Sequence, residues 1–386
     1  MRAFTEEQTM FRQAYRRFLA AEVVPHMARF REQGVVDREV YRKAGEQGFL
    51  MVWPDECYGG MGDRDIRFEQ VIIEEIARAD VFEFFAPLHS RLVGPYLDTF
   101  GNAEQKQRWL PGCVSGETIL AVAMTEPDAG SDLAGMRTHA RDMGDHYLLN
   151  GAKTYISNGL LADLVVVAAK TDPENNPHAM ALMVVERGMP GFERGKKLDK
   201  MGLAAQDTAE LFFHDVKVPK ANVLGDPSKG FHYLMHGLAE ERLLAAFQNV
   251  GMARKAFDIT RTFVMERRVF GKPLSAQQNT QFQMAAIEAE LDMAQVYVDQ
   301  CATWLNEGQL SSARAARAKL LSSEALWRML DLGVQLHGGT GYMMESPICR
   351  MFVDGRVARI LAGSSEIMKL IIAREIFADD YPSLLD

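Results

Sequence analysis

A chain of 386 residues is too long for one simple core and predicts two or three domains. Apolar residues at 47% and charged residues at 25% fit a globular protein, and a net charge of −9 without a basic block argues against a nucleic-acid surface. The longest apolar runs, such as residues 164–169, are far too short to span a membrane.

The first residues carry no apolar signal region and lead straight into a helix-like pattern, so a bacterial cytoplasm is expected rather than a mitochondrial matrix. Residues 1–117 read as an N-terminal helical domain. Phe68, Ile72, Ile76 and Ala79 recur on one helix face, and Pro54 with Gly59, Gly60 and Gly62 marks a turn or loop. The texture changes near Thr118. Short apolar runs follow at 119–123, 147–149, 164–169, 180–185 and 211–213, separated by turn residues such as those at 172–177. That punctuation predicts a β-domain over 118–225. After Gly230 the helical period returns, and Met284, Ile287, Leu291, Ala294 and Val298 form a narrow packing stripe. Long helices with such stripes make a bundle, here over 226–386.

Cys57, Cys113, Cys301 and Cys349 are scattered, form no CxxC pair and no metal-like cluster with histidine, and fit a reducing compartment. No metal site is predicted. Walker-type, GxSxG and HExxH patterns are absent, and the glycines at 59, 60 and 62 lack the strand-to-helix setting of a dinucleotide fold. Three segments are too polar and glycine-rich for mere connections: 124–132 (MTEPDAGSD), 153–159 (KTYISNG) and 335–342 (QLHGGTGY). Small residues beside hydroxyls let a backbone approach a flat or phosphorylated ligand closely. Tyr155 and Ser157, two apart, share a face if that segment is a strand.

With these segments in a helix–strand–helix order, the sequence resembles the acyl-CoA dehydrogenase family nearly end to end. The resemblance is carried by residues 54–60 (PDECYGG), 101–106 (GNAEQK), 124–132, 153–159, 200–203 (KMGL), 215–219 (DVKVP), 267–273 (RRVFGKP), 335–341 and 366–368 (EIM). Within the family it is similar above all to the long-chain branch, through 200–213 and 366–376. The resemblance implies a mainly α fold with a central β-barrel between an N-terminal helical domain and a C-terminal four-helix bundle, in a homotetramer. It implies FAD between barrel and bundle, with the adenosine end reaching a neighbouring subunit. By the family pattern Met124 and Thr125 border the flavin, and Ser131 borders the thioester arm. Tyr155 stands against the flavin ring and Ser157 bonds it near N5. Arg267, Phe270 and Gln278 match positions that hold the pyrophosphate and adenosine side, and Gln335, Gly338, Gly339, Ser364 and Glu366 make another dinucleotide contact. An arginine suits a diphosphate because its donors form a fixed, charged fork.

The implied reaction takes a proton from Cα and a hydride from Cβ of an acyl-CoA. It needs a base, a flavin acceptor and donors that polarise the thioester carbonyl. Most relatives carry the base as glutamate before Gly-Thr near the C-terminus, where this chain reads Leu361-Ala362-Gly363-Ser364. Ala362 takes no proton but keeps the backbone N–H that in relatives helps bind the thioester oxygen. The long-chain and isovaleryl members place their glutamate on an early bundle helix, just before an arginine. Glu241, preceding Arg242, matches that place, and Arg242 is assigned to the substrate site. Glu240 lies about 100° round the helix, so only one of the two points easily at a substrate. This arrangement accompanies long or branched acyl chains in the family. Arg91, where close relatives have a small residue, either reaches solvent or shortens the acyl tunnel or meets a polar acyl group. The expected electron acceptor is electron-transferring flavoprotein. The competing functions are an oxidase or monooxygenase on the same fold, or a non-catalytic flavoprotein.

Overall fold

The computed structural model describes residues 4–172, 176, 179–378 and 381. The turn predicted at 172–177 lies largely outside the described residues. Six helices come first: α1 (Glu6–Phe18), α2 (Met27–Gln33), α3 (Arg38–Glu46), α4 (Arg67–Ala79), α5 (Gly94–Phe100) and α6 (Ala103–Ser115), with a π-helical turn over Leu88–Val93. Two of them start on reciprocal caps written in the sequence. Thr5 and Gln8 close a capping box on α1, and Asn102 and Gln105 close one on α6. Gln105 also donates to the carbonyls of Ala221 and Val223, tying α6 to the end of the sheet. On α4 the predicted stripe is in place: Phe68, Ile72 and Ile76 are buried.

Eight strands make the middle layer: β1 (Leu120–Ala123), β2 (His139–Asp142), β3 (His146–Ser157), β4 (Leu164–Lys170), β5 (Met180–Glu186), β6 (Phe192–Lys197), β7 (Thr208–Pro219) and β8 (Val223–Leu224). Their order is β6-β7-β3-β2-β4-β5-β8, with β1 on β4. The predicted barrel is corrected here, since among the described residues the ladder does not close. Its end strands, β6 and β8, do not pair with each other. β1 pairs in parallel with β4 from Leu164 to Val167, which leaves β2 a single partner on that strand, Lys170. β4 and β5 read as continuous apolar runs because both faces are covered. Val165, Val167 and Ala169 meet β3 and β7, while Leu164, Val166 and Ala168 meet the N-terminal helices through Trp109 and Leu110.

Five helices follow: α7 (Gly230–Glu266), α8 (Gln278–Asn306), α9 (Ser312–His337), α10 (Pro347–Gly355) and α11 (Ser365–Ile376). A short hairpin, β9 (Arg268–Val269) with β10 (Lys272–Pro273), joins α7 to α8. α9 packs against α7, α8 and α11 as the centre of a four-helix bundle. The α8 stripe is its seam: Ile287, Leu291, Ala294 and Val298 are buried and Met284 is half-buried. First and last helices share cores, with Ile66 and Ile73 packed in one cluster with Leu243, Phe247 and Val298. No helix among the described residues is long and apolar enough to cross a membrane.

Candidate active site

Where the sheet meets the bundle there is a cavity of about 230 Å³. Its sheet wall carries Met124, Thr125, Tyr155 and Ser157, and its helical wall carries Glu241 and Ala362. Six predicted site residues from four distant stretches of sequence therefore face one space.

The sheet wall is held by a buried ion pair. Lys153, with no exposed side-chain surface, donates to Glu126 Oε1 at 2.9 Å and to the Met124 carbonyl at 3.0 Å. Glu126 also accepts the backbone N–H groups of Arg137, at 2.6 Å, and Thr138, at 2.9 Å. Burial pushes the Glu126 carboxyl up, but Lys153 and those two N–H groups hold it below the usual carboxylate range. Burial pulls the Lys153 ammonium down to about 8, still above neutrality, so the pair stays charged. It stitches the 124–132 segment to β3, and a backbone bond from Thr154 to the Thr125 carbonyl at 2.9 Å repeats the link. Neither residue is assigned a role from sequence. The available signal was a lysine and a glutamate set inside two glycine- and hydroxyl-rich motifs.

β3 bulges against β7 between Lys153 and Ile156. At the bulge Tyr155 takes φ +59°, and its side chain is 70% exposed, presenting the ring to open space. A bulge re-aims a side chain out of the regular pleat, and a non-glycine residue held at positive φ costs on the order of 1–3 kcal/mol, which the surrounding structure must supply. Tyr155 and Ser157 line the same cavity, and so does Ile156 between them, so regular strand alternation alone does not set this face.

On the helical wall α7 brings in Glu241, 7% exposed, whose Oε1 accepts the Tyr96 hydroxyl of α5 at 2.8 Å. Gly237, one turn earlier, makes room for this bond. A Cβ there would stand 2.9 Å from Tyr96 Oη and 3.5 Å from Glu241 Oε1. Burial pushes the Glu241 carboxyl up to about 7, with Tyr96 and Arg242 opposing and Glu240 adding. Glu240 points elsewhere and pairs with Arg91 of the π-helical turn. The Arg91 side chain is 12% exposed and lies 5.8 Å from the Trp53 ring, so the solvent-reaching alternative does not hold. Its helical neighbours Leu88 and Leu92 line the cavity. A second buried carboxyl, Asp354, also reaches the cavity and is raised to about 7 by burial and by Glu83, but it accepts the Leu203 N–H and so ties the 200–203 motif to α10.

Other predicted residues lie outside this space. Arg242 is buried and donates to Ser312 Oγ at 2.9 Å, away from the cavity that Glu241 faces, so its assignment to the substrate is not supported by its geometry. Ser131 is exposed on the loop after β1. Arg267, Phe270 and Gln278 are exposed at the far end of α7 and the start of α8. Gln335, Gly338 and Gly339 are exposed at the end of α9, which is tied to the same end of α7 by His337 stacking on Phe263 at 4.1 Å. Ser364 caps α11 by accepting the Ile367 N–H, and Glu366 is exposed in its first turn.

Comparison with known proteins agrees with this architecture. Residues 5–117, 121–216 and 228–377 match the family models for the N-terminal, middle and C-terminal domains of acyl-CoA dehydrogenase. The chain is 43% identical over 380 residues to the long-chain specific acyl-CoA dehydrogenase of Sus scrofa mitochondria, covering 98% of this chain and 88% of that protein. An acyl-CoA dehydrogenase from Geobacillus kaustophilus superposes with a TM-score of 0.95 at 45% identity, covering 98% of this chain and 100% of that one. One from Bacillus anthracis, solved in complex with FAD, gives 0.90 at 31% identity, covering 97% of this chain and 68% of that one. With all three domain models matched in order and near full-length identity above two-fifths, the chain belongs to the acyl-CoA dehydrogenase family.

Proposed function

We propose that this chain removes hydrogen from Cα and Cβ of an apolar acyl-CoA thioester, with Glu241 as the base that takes the α-proton. Glu241 carries this reading: it is a buried carboxyl on the cavity wall, raised to about 7 and held by one phenolic hydroxyl. A base poised near neutrality suits proton abstraction. The walls suit FAD as well. Tyr155 offers an uncovered ring, and Ser157 and Thr125 offer hydroxyls on the same cavity. FAD, when bound, supplies the acceptor for the hydride from Cβ. The chain's own groups do the rest. Tyr96 orients Glu241, the Ala362 N–H polarises the thioester carbonyl, and Phe85, Leu88, Leu92 and Leu244 exclude water and receive the acyl chain, long or branched.

About 22 Å of α7, at about 1.5 Å per residue, separates Met252 on the cavity from Arg267. A ring held in the cavity has its pyrophosphate much nearer than that. This separation supports an oligomer, a tetramer by resemblance, in which Arg267, Phe270 and Gln278 serve the cofactor of a second copy. Exposed Phe282, Met293 and Val296 on α8 offer apolar surface for such an assembly. Electron-transferring flavoprotein as acceptor rests on the resemblance alone. Four free cysteines support a reducing compartment such as a bacterial cytoplasm.

Anaerobic mixing with acyl-CoAs tests the proposal. The wild-type flavin should bleach and reoxidise slowly in air, whereas fast reoxidation would mean an oxidase and no bleaching a non-catalytic flavoprotein. Glu241→Gln should slow bleaching by about 10²–10⁴-fold. Near-normal bleaching in that variant would reject Glu241 as the base.

A further inference from the structure

Between α10 and α11 the chain passes Ala362, which lines the cavity and sits at φ +52°. Gly363 follows at φ +89°, where a Cβ would stand 2.6 Å from Met368 Cε. Two successive left-handed residues do not hold themselves in place, and with alanine at 362 there is no side chain to anchor the turn. The anchors come from α9. Lys319, fully buried, donates from Nζ to the Gly363 carbonyl at 2.7 Å. Glu324 Oε1 accepts from Arg359 Nε at 2.9 Å and from Ser365 Oγ at 2.8 Å. Upstream, the Leu361 N–H donates to the Val357 carbonyl at 3.0 Å. The backbone is thereby tied one residue before Ala362, at the Leu361 N–H, and one residue after it, at the Gly363 carbonyl.

A lysine without exposure is rare, and here it is used on a backbone carbonyl. Burial pulls its ammonium down to about 8, with Glu324 opposing, which leaves it protonated at neutral pH and the bond charge-assisted. Nothing in the reaction calls for a cation at this place. Its bond falls on the residue next to the one whose N–H must meet the developing charge on the thioester oxygen.

We propose that Lys319 and Glu324 are positioning residues that clamp residues 359–365 from α9, so that the Ala362 N–H is held toward the thioester carbonyl. The proposal rests on the reading of Ala362 as a carbonyl donor. An N–H that is merely present polarises little, whereas one fixed in direction before substrate arrives needs no reorganisation during the reaction.

Infrared difference spectra of the oxidised holoenzyme test it, with trans-2-enoyl-CoA isotope-labelled at the thioester carbonyl as an unreactive probe. In the wild type the bound carbonyl band should lie at lower frequency than in free solution. Lys319→Met should lose most of that shift, with kcat down about ten- to hundredfold, less than the 10²–10³ for deleting a donor outright, and a smaller change in KM. Lys319→Gln, which keeps a donor, should recover part of both. Should Lys319→Met not retain FAD, Ser365→Ala removes one anchor without touching the buried lysine and should weaken and broaden the shifted band. A wild-type band with wild-type kcat in Lys319→Met holoenzyme, or in Ser365→Ala where that holoenzyme does not form, overturns the clamp while leaving Ala362 as donor. An unshifted carbonyl in the wild type itself overturns the donor reading and the clamp together.

Discussion

Glu126 and Glu241 are the same residue type, both almost fully buried, one next to the sheet wall of the cavity and one lining its helical wall, and their acidities move in opposite directions. Glu126 meets an ammonium and two backbone N–H groups. Glu241 meets one phenol. Burial alone therefore does not make a base; the partner set decides whether a buried carboxyl holds the structure or stays available for a proton. Asp354 shows a third outcome, raised by burial yet committed to the Leu203 N–H.

The comparison is broken most sharply by the paired variants Glu241→Gln and Glu126→Gln. The first should lose flavin reduction by the factor given above and keep the fold. The second should leave Lys153 as an unpaired buried cation and cost about 3–5 kcal/mol in denaturant unfolding, with the FAD site lost as a consequence. Their pH signatures should differ in sign. Glu126 lies below its unfolded value, so its stabilisation is present at neutral pH and lost as pH falls through the folded value. Glu241 lies above its unfolded value, so its relative stabilisation is present in acid and lost as pH rises through about 7. Glu241→Gln should accordingly be more stable than the wild type above pH 7, by on the order of 1–3 kcal/mol.

A smaller effect should follow from Tyr96, the one hydrogen-bond donor to the base among the described residues. It lowers the Glu241 carboxyl against the pull of burial. Tyr96→Phe should move the acidic limb of kcat/KM to higher pH, by about half a unit to one unit, the size expected when one hydrogen bond is lost. Gly237→Ala should do the same by displacing Tyr96, because its Cβ would fall within contact of the hydroxyl. An unmoved limb in both variants would separate the base from its phenol.

Much of this was legible in the sequence where a local signal existed. The α4 and α8 stripes and the apolar centres of β1, β4 and β5 are where the pattern puts them, and Met124, Thr125, Tyr155, Ser157, Glu241 and Ala362, singled out from sequence, line one cavity. β3 and β7 extend well past their apolar centres, β7 because its second half alternates between buried and exposed positions and β3 through a half-buried stretch and a bulge. β2 and β6, His-Ala-Arg-Asp and Phe-Glu-Arg-Gly-Lys-Lys, were missed because they are mainly polar. The open ladder was not legible because it depends on whether the end strands β6 and β8 pair, and pairing between distant segments leaves no local signal. Lys153 and Lys319 were missed for a shared reason. A lysine in a sequence reads as solvated, and only the packing around it shows that both ammonium groups hold backbone carbonyls at the cavity.

The mildest perturbation falls on the pair next to the base. Arg91 and Glu240 bridge the π-helical turn to α7, beside the Leu88 and Leu92 that line the cavity. Glu240 raises the Glu241 carboxyl, so its charge bears on the base as well as on the wall. Removing one partner leaves the other charged in a largely enclosed place, which is worse than removing both. Arg91→Met and Glu240→Gln should each destabilise, by about 1–2 kcal/mol, and the double variant should recover part of that loss, as coupled neighbours do. Glu240→Gln alone should also move the acidic limb of kcat/KM to lower pH, opposite in direction to Tyr96→Phe. A scan of acyl-CoA lengths on the double variant then asks whether the pair also bounds the acyl chain. A shifted length optimum with a normal limb would assign it to the wall, and a shifted limb with an unchanged optimum would assign it to the base.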